Sequence, residues 1–175
     1  MQFSLKYCPA EIAYYIVVNG VIMLTEHYAG EKYMKKIIGL YASSNKGKST
    51  TLNKLIDLLE VVADNYEIVR INNESSAWFE LYGKKVVVCT KGDYGQIIQE
   101  NVDFAKKYEY DIFVTATRTK GGTTAEIADF AERDGAELVW IQKEDDEARN
   151  NLIASELFGS VVKNIAPDFE SFIHQ

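Results

Sequence analysis

Little in this chain can crosslink, kink or ligate: two cysteines, two prolines and two histidines are spread over 175 residues. Cys8 and Cys89 make no disulfide framework, and Cys89, inside Val86-Val87-Val88-Cys89, reads as a small buried apolar side chain. His27 and His174 stand far apart without ligand-spaced partners, which argues against a histidine-built metal site or a Ser-His-Asp engine. Long apolar runs are also missing. The stretch Ile12 to Leu24 is broken by Asn19-Gly20 and is too short to span a bilayer, and no charged segment with a cleavage pattern marks a signal peptide. The expectation is a cytoplasmic protein with no membrane partner. Positive charge is in deficit, with a net charge of -7 and a pI near 4.9, which gives no strong nucleic-acid signal. At 47% hydrophobic and 26% charged, the composition is that of an ordinary globular domain long enough to bury a real core.

What is there is organised around Lys35 to Leu52, KKIIGLYASSNKGKSTTL. An apolar run, Ile37, Ile38 and Leu40, enters a loop and leaves through Gly47-Lys48-Ser49-Thr50 into a helical pattern of Leu52, Leu55, Ile56, Leu59, Val62 and Ala63. The spacing is an alanine or glycine, four residues of any kind, then Gly-Lys and a hydroxyl residue, with Ala42 in the first slot. It resembles the Walker A segment of the P-loop NTPases. The resemblance implies a loop, Ala42, Asn45, Lys46, Gly47, Lys48, Ser49 and Thr50, that holds the phosphates of ATP, with GTP as the alternative. Lys48 would reach the β- and γ-phosphates, Ser49 would ligate Mg²⁺, and the helix would direct its positive end at the same anion.

Before that segment, Ala13 to Val18 and Val21 to Thr25 flank Asn19-Gly20, a dipeptide suited to a two-residue hairpin turn. Residues 1–33 are therefore expected to be an N-terminal β-hairpin extension, added to a sheet edge, covering the core, or serving as a pairing surface for another chain, with a homo-oligomer among the expected partners and residues 34–175 forming the nucleotide-binding domain. Beyond the first helix, Glu67 to Asn72 reads as a strand, Asn73 to Ser76 as a polar loop, and Trp78 to Tyr82 with Lys84 to Thr90 as a hairpin across Gly83. A helix from Gln96 to Tyr108 precedes the strand Asp111 to Thr117. Thr123 with Glu126 forms a capping box for a helix ending at Gly135. Glu137 to Gln142 is the last strand, and Glu144 to Glu147 opens a helix with Leu152, Ile153, Leu157 and Val161 inward. Strands alternating with helices give an α/β doubly wound, mainly parallel sheet with helices on both faces and one antiparallel arm.

In such sheets ligands lie over the carboxyl ends of the strands, which sorts the remaining candidates. The resemblance implies a second carboxylate on Mg²⁺ beside Ser49, and Asp93, just past the apolar strand, is the candidate for it, whereas Asp111 begins its strand at the wrong end. Thr90 could orient a metal-bound water. Arg118 and Lys120 follow the strand Asp111 to Thr117 and supply charge on a transferring phosphate or capture a small anionic second substrate. Glu74 is a candidate base, and Tyr94 and Gln96 lie close to Asp93 in sequence. Thr90-Lys91-Gly92-Asp93 matches a guanine-reading motif, but no D-x-x-G segment precedes it. Ser43 stands where partition ATPases carry a lysine, and the link from Thr117 to Thr123 is too short for a kinase lid. The expected catalytic set is Lys48, Asp93 and Arg118. The expected activity is Mg-ATP-dependent phosphoryl transfer, by default hydrolysis, with a small-molecule kinase or a nucleotide-driven interaction module as alternatives.

Overall fold

The computed structural model describes residues 4–7, 13–18, 21–26, 34–119, 122–143 and 149–165. By internal contacts the chain divides into two units, Met1–Tyr33 and Met34–Gln175. The first contains β1 (Ser4–Tyr7), β2 (Ala13–Val18) and β3 (Val21–Glu26), an antiparallel sheet in the order β1-β2-β3. Its β2–β3 register closes on Val18 opposite Val21, which leaves only residues 19–20 to connect them. The expected hairpin thus gains a third strand, because Ser4 to Tyr7 pairs with Val17 to Tyr14. Four residues are too few to show a period of two from sequence.

The second unit runs β4 (Lys36–Tyr41), α1 (Lys48–Val62), β5 (Asn65–Ile71), β6 (Glu74–Leu81), β7 (Lys84–Cys89), α2 (Gly95–Lys107), β8 (Ile112–Thr117), α3 (Thr123–Asp134), β9 (Glu137–Gln142) and α4 (Arg149–Ile165). Its sheet has the order β5-β6-β7-β8-β4-β9. The pairs β7–β8, β8–β4 and β4–β9 are parallel, and β5–β6 and β6–β7 antiparallel. This is a mixed α/β architecture with a mostly parallel sheet.

Both faces of the central strands are covered, which is why their sequences are continuously apolar. On one face Ile38, Leu40, Val86, Val88, Ile112 and Val114 meet Leu52, Leu55, Ile56 and Leu59 of α1 and Ile153, Leu157 and Val161 of α4. On the other, Ile37, Val87, Cys89 and Phe113 meet Ile98 and Val102 of α2 and Ile127 and Phe130 of α3. Successive strand residues alternate between the two layers as the pleat requires. Burial pushes the Cys89 thiol up to about 12, so it is a packing group and not a nucleophile.

Four local expectations change. The polar loop at Asn73 to Ser76 is mostly strand: β6 begins at Glu74, and Ser75, buried, donates from its hydroxyl to Asn53 Oδ1 at 2.7 Å. Tyr82 is not a strand residue but shares the turn with Gly83, both left-handed at φ 51° and 71°. The capping box is absent, because Gly122, at φ 84°, caps α3 without a side-chain bond and Thr123 is already helical. Leu152 is 52% exposed, since α4 rests on Ile153, Leu157 and Val161 and the residue one step earlier is rotated outward. The acidic run at 144–147 lies outside the described residues.

Gly39 sits in the middle of β4 opposite Trp140 of β9, and a Cβ there would lie 2.1 Å from the indole ring. Tyr41 holds the same ring edge-on, with centroids 6.1 Å apart. Gly39→Ala is expected to displace the indole and cost about 1–3 kcal/mol, the usual range for overpacking. Adding Trp140→Leu should recover most of that loss in urea unfolding, so that the two changes are far from additive.

Candidate functional site

The loops after β4 and β7 and the turn before β6 converge at the carboxyl ends of the parallel strands. They enclose a cleft of about 350 Å³ lined by residues 45–50, Asn73, Glu74, Thr90, Gly92 and Asp93. Its floor is the start of α1. Asn45 and Gly47 take left-handed backbone angles, φ 58° and 74°, a pattern found in the backbone nests that bind anions. At Gly47 a Cβ would also press on the Asn150 amide at 3.3 Å, so glycine is favoured both by the backbone angle and by the tight approach. The single Thr51 hydroxyl proton has two acceptors in reach, the Gly47 carbonyl at 2.9 Å and Asn150 Oδ1 at 3.2 Å, and either bond ties the helix start to its surroundings. No side chain caps α1, and its first turn carries no acidic residue of its own.

Lys48 is 7% exposed, and its Nζ donates to the carbonyls of Ala42 at 3.2 Å and Ser43 at 2.9 Å. Burial lowers its pKa below the ordinary 10.5. Asp93 and Glu74 oppose that shift, and the Arg118 cation adds to it. One neighbouring cation and two carboxylates therefore act on the Lys48 ammonium. Arg118 follows β8, half-buried, and its backbone N–H donates to Thr123 Oγ1 at 2.9 Å.

The single Ser49 hydroxyl proton has two acceptors in reach, Glu74 Oε1 at 3.1 Å and the Thr90 carbonyl at 3.3 Å. Thr90 Oγ1 donates to Glu74 Oε2 at 2.6 Å while accepting from the Ser75 backbone N–H at 2.7 Å. Asp93 lines the same cleft, yet the carboxylate that meets the Ser49 hydroxyl is that of Glu74. Its loop is braced from below by Asn101 Nδ2, which donates to the Lys91 carbonyl at 2.8 Å and to Thr115 Oγ1 at 3.2 Å. Asn101 escaped the sequence reading, although a polar residue on the buried stripe of Ile98, Val102 and Ala105 was its signal. Asn73 and Asn150, too, were not singled out.

Among the other candidates, Ala42, Asn45, Lys46, Gly47, Ser49 and Thr50 all belong to this one loop-and-helix segment. Asp111 stands at the opposite end of the sheet, accepting from the Lys85 N–H at 2.8 Å. Tyr94 and Gln96 do not line the cleft: Tyr94 is 66% exposed and Gln96 reaches Glu100. Lys120 lies outside the described residues. Among the described residues no three His, Cys, Asp or Glu side chains gather as a metal cage. The oxygens of Ser49, Glu74 and Asp93 nevertheless fit Mg²⁺, which takes one or two carboxylates and fills its shell with water and phosphate oxygens.

No protein-family model matches the chain. No curated protein matches it either. A solved structure that does is the crystal structure of 5'-methylthioadenosine/S-adenosylhomocysteine nucleosidase from Neisseria meningitidis in complex with methylthio-immucillin-A. The two share 10% identity over 75% of this chain and 95% of that chain, with a TM-score of 0.27. That neighbour is a nucleosidase and not a P-loop NTPase. On this finding the expectation drawn from the motif is corrected: superfamily membership is set aside, and with it Mg-ATP-dependent phosphoryl transfer as hydrolase, small-molecule kinase or nucleotide-driven module. A likeness at that score carries neither the nucleosidase's fold nor its chemistry to this chain. Among the described residues no helix is long and apolar enough to cross a membrane.

Proposed function

We propose that the cleft binds a polyphosphate anion, namely a nucleoside triphosphate, ATP or GTP, carried with Mg²⁺. The observation that carries this reading is the buried ammonium of Lys48, held on two backbone carbonyls at the side-chain-uncapped start of α1. A cation desolvated in this way gains most from an anion that replaces its lost water, and helix N–H groups add to the same attraction. Ser49 and the neighbouring carboxylates would hold the cation, and Arg118 offers a second charge to the terminal phosphate or to a small anionic second ligand.

Titration calorimetry with ATP, GTP and inorganic tripolyphosphate, each with and without Mg²⁺, tests the reading. Tripolyphosphate isolates the cradle from any base pocket. Binding by all three supports it, and failure of all three overturns it. The pH dependence has a definite sign. Bound phosphate favours charged Lys48, so binding takes up a proton once the pH exceeds the lowered pKa of the free protein. Affinity should therefore hold steady at lower pH and then fall by up to about tenfold per pH unit on the alkaline side, starting below 10.5. Folding moves the other way: the cost of burying charged Lys48 is borne in full below that pKa and relieved as pH rises through it.

A further inference from the structure

We infer that a groove on the α3 face of the sheet, walled by Tyr41 and Trp140, seats the purine ring of the nucleotide whose phosphates occupy the cleft. The inference rests on the phosphate reading and adds where the base goes. A cavity of about 470 Å³ opens there, lined by Tyr41, Thr119, Thr124, Ala125, Ala128 and Trp140. Its size is that of a small-molecule site, and two aromatic rings among small side chains and hydroxyls are the lining a flat heteroaromatic guest requires. It shares no lining residue with the phosphate cleft. Yet the two adjoin along the chain. Tyr41 lies one Cα step, about 3.8 Å, before Ala42, whose carbonyl holds the Lys48 ammonium at 3.2 Å. Thr119 likewise follows Arg118, whose charge acts on that ammonium.

Two further observations point to an occupant. Glycine weakens the middle of a strand, yet Gly39 stands at the middle of β4, and its missing side chain gives the Trp140 indole a recess against the backbone. The indole therefore lies down on the sheet and leaves the groove open. Tyr41 stands at 88° to it, so a planar guest parallel to one ring is edge-on to the other, and both arrangements are favoured. The second observation is a hydroxyl. Among the described residues, Thr117 Oγ1 is buried without a hydrogen-bond partner. Thr117 pairs directly with Tyr41 between β8 and β4, so the two side chains stand side by side on one face of the sheet. Buried polar groups are ordinarily paired, and the ring nitrogens and exocyclic groups of a purine supply partners that an aliphatic guest lacks.

Tripolyphosphate has no base, so it separates the groove from the cleft. Stacking of a base on an aromatic side chain gains about five- to a hundredfold in affinity. In calorimetry with Mg²⁺, Trp140→Leu should therefore weaken ATP and GTP by about tenfold and leave tripolyphosphate within about twofold of the wild type. Ala125→Phe guards against a loosened core. Ala125 is exposed on α3 and belongs to neither core layer, so the added ring fills the groove and should cause the same selective loss. In Trp78→Phe, where Trp140 is the remaining indole, fluorescence should shift on adding ATP and stay unchanged on adding tripolyphosphate. Nucleotide affinity within about twofold of the wild type in both groove variants, or an indole that ignores ATP, overturns the groove. Equal loss of tripolyphosphate and nucleotide in Ala125→Phe overturns it as well, since the effect is then not on the base. Wild type that binds neither tripolyphosphate nor nucleotide overturns the phosphate reading beneath it, which is a different and separately visible failure.

Discussion

Lys48→Ala should abolish tripolyphosphate binding while leaving the protein folded. The ammonium is the one group in the cleft that is both charged positively and almost wholly removed from solvent, at 7% exposure. Two of its three protons are held by the Ala42 and Ser43 carbonyls, so the third, at about 1.5–3 kcal/mol for a charge-assisted hydrogen bond, predicts a drop on the order of 10–10² in affinity, to which loss of the charge itself adds. Stability behaves differently. The substitution leaves the Ala42 and Ser43 carbonyls without their donor, but it also removes a cation that burial disfavours. These terms oppose each other, and the net change should stay within about 1 kcal/mol. Calorimetry for affinity and thermal unfolding for stability check the two halves independently. Lys48→Arg should fail nearly as badly as alanine, because a planar fork cannot sit between two carbonyls shaped around a tetrahedral donor. Retention of affinity within about threefold in Lys48→Ala would remove the basis for placing phosphate in this loop.

The central architecture was legible because β7 and β8 are buried on both faces and so carry unbroken apolar runs, Val86 to Cys89 and Ile112 to Thr117. Helical spacing in α1 and α2 was equally plain. What failed to show was polar residues in buried positions. Ser75 lies at a buried register of β6 and looks like loop in a string of letters, since only its bond to Asn53 explains it. Thr123 imitates a cap, yet it sits one residue inside the helix because the left-handed Gly122 had already turned the chain. The strand order, with β8 between β7 and β4, is set by crossovers that no local pattern records.

The candidate site divides in the same way. Residues 45–50 were readable because they are contiguous and each has a chemical reason for its place. Glu74 was noticed only as a candidate base, since its meeting with Ser49 and Thr90 joins positions far apart in the chain. The superfamily expectation failed for a related reason. A short motif speaks for one loop and leaves the rest of the chain unspoken for.

Gly92 provides the sharpest test of how the cleft is held. A Cβ there would lie 2.0 Å from the Ala116 carbonyl oxygen, 2.4 Å from its carbon and 2.9 Å from the Thr117 nitrogen. All three atoms are backbone of β8, whose Ala116 and Thr117 pair with Leu40 and Tyr41 of β4 just beyond the end of the β7 pairing at Thr115, so the strand cannot yield without disturbing the β4 ladder. The loop must retreat instead, and with it go the bond from Asn101 to the Lys91 carbonyl and the placement of Asp93. Gly92→Ala should therefore cost about 3 kcal/mol or more, at or beyond the upper end of ordinary overpacking. Gly95→Ala, three residues on, is the control. Its Cβ would meet Glu126 Oε1 at 2.4 Å, the far end of a flexible and exposed side chain that can swing aside. That change should cost less than about 1 kcal/mol. Denaturant midpoints of the two variants, measured together, separate rigid backbone contact from side-chain crowding. Equal losses would mean that the Lys91–Asp93 loop is not held against β8 in solution, and that the cleft lacks the wall on which its chemistry depends.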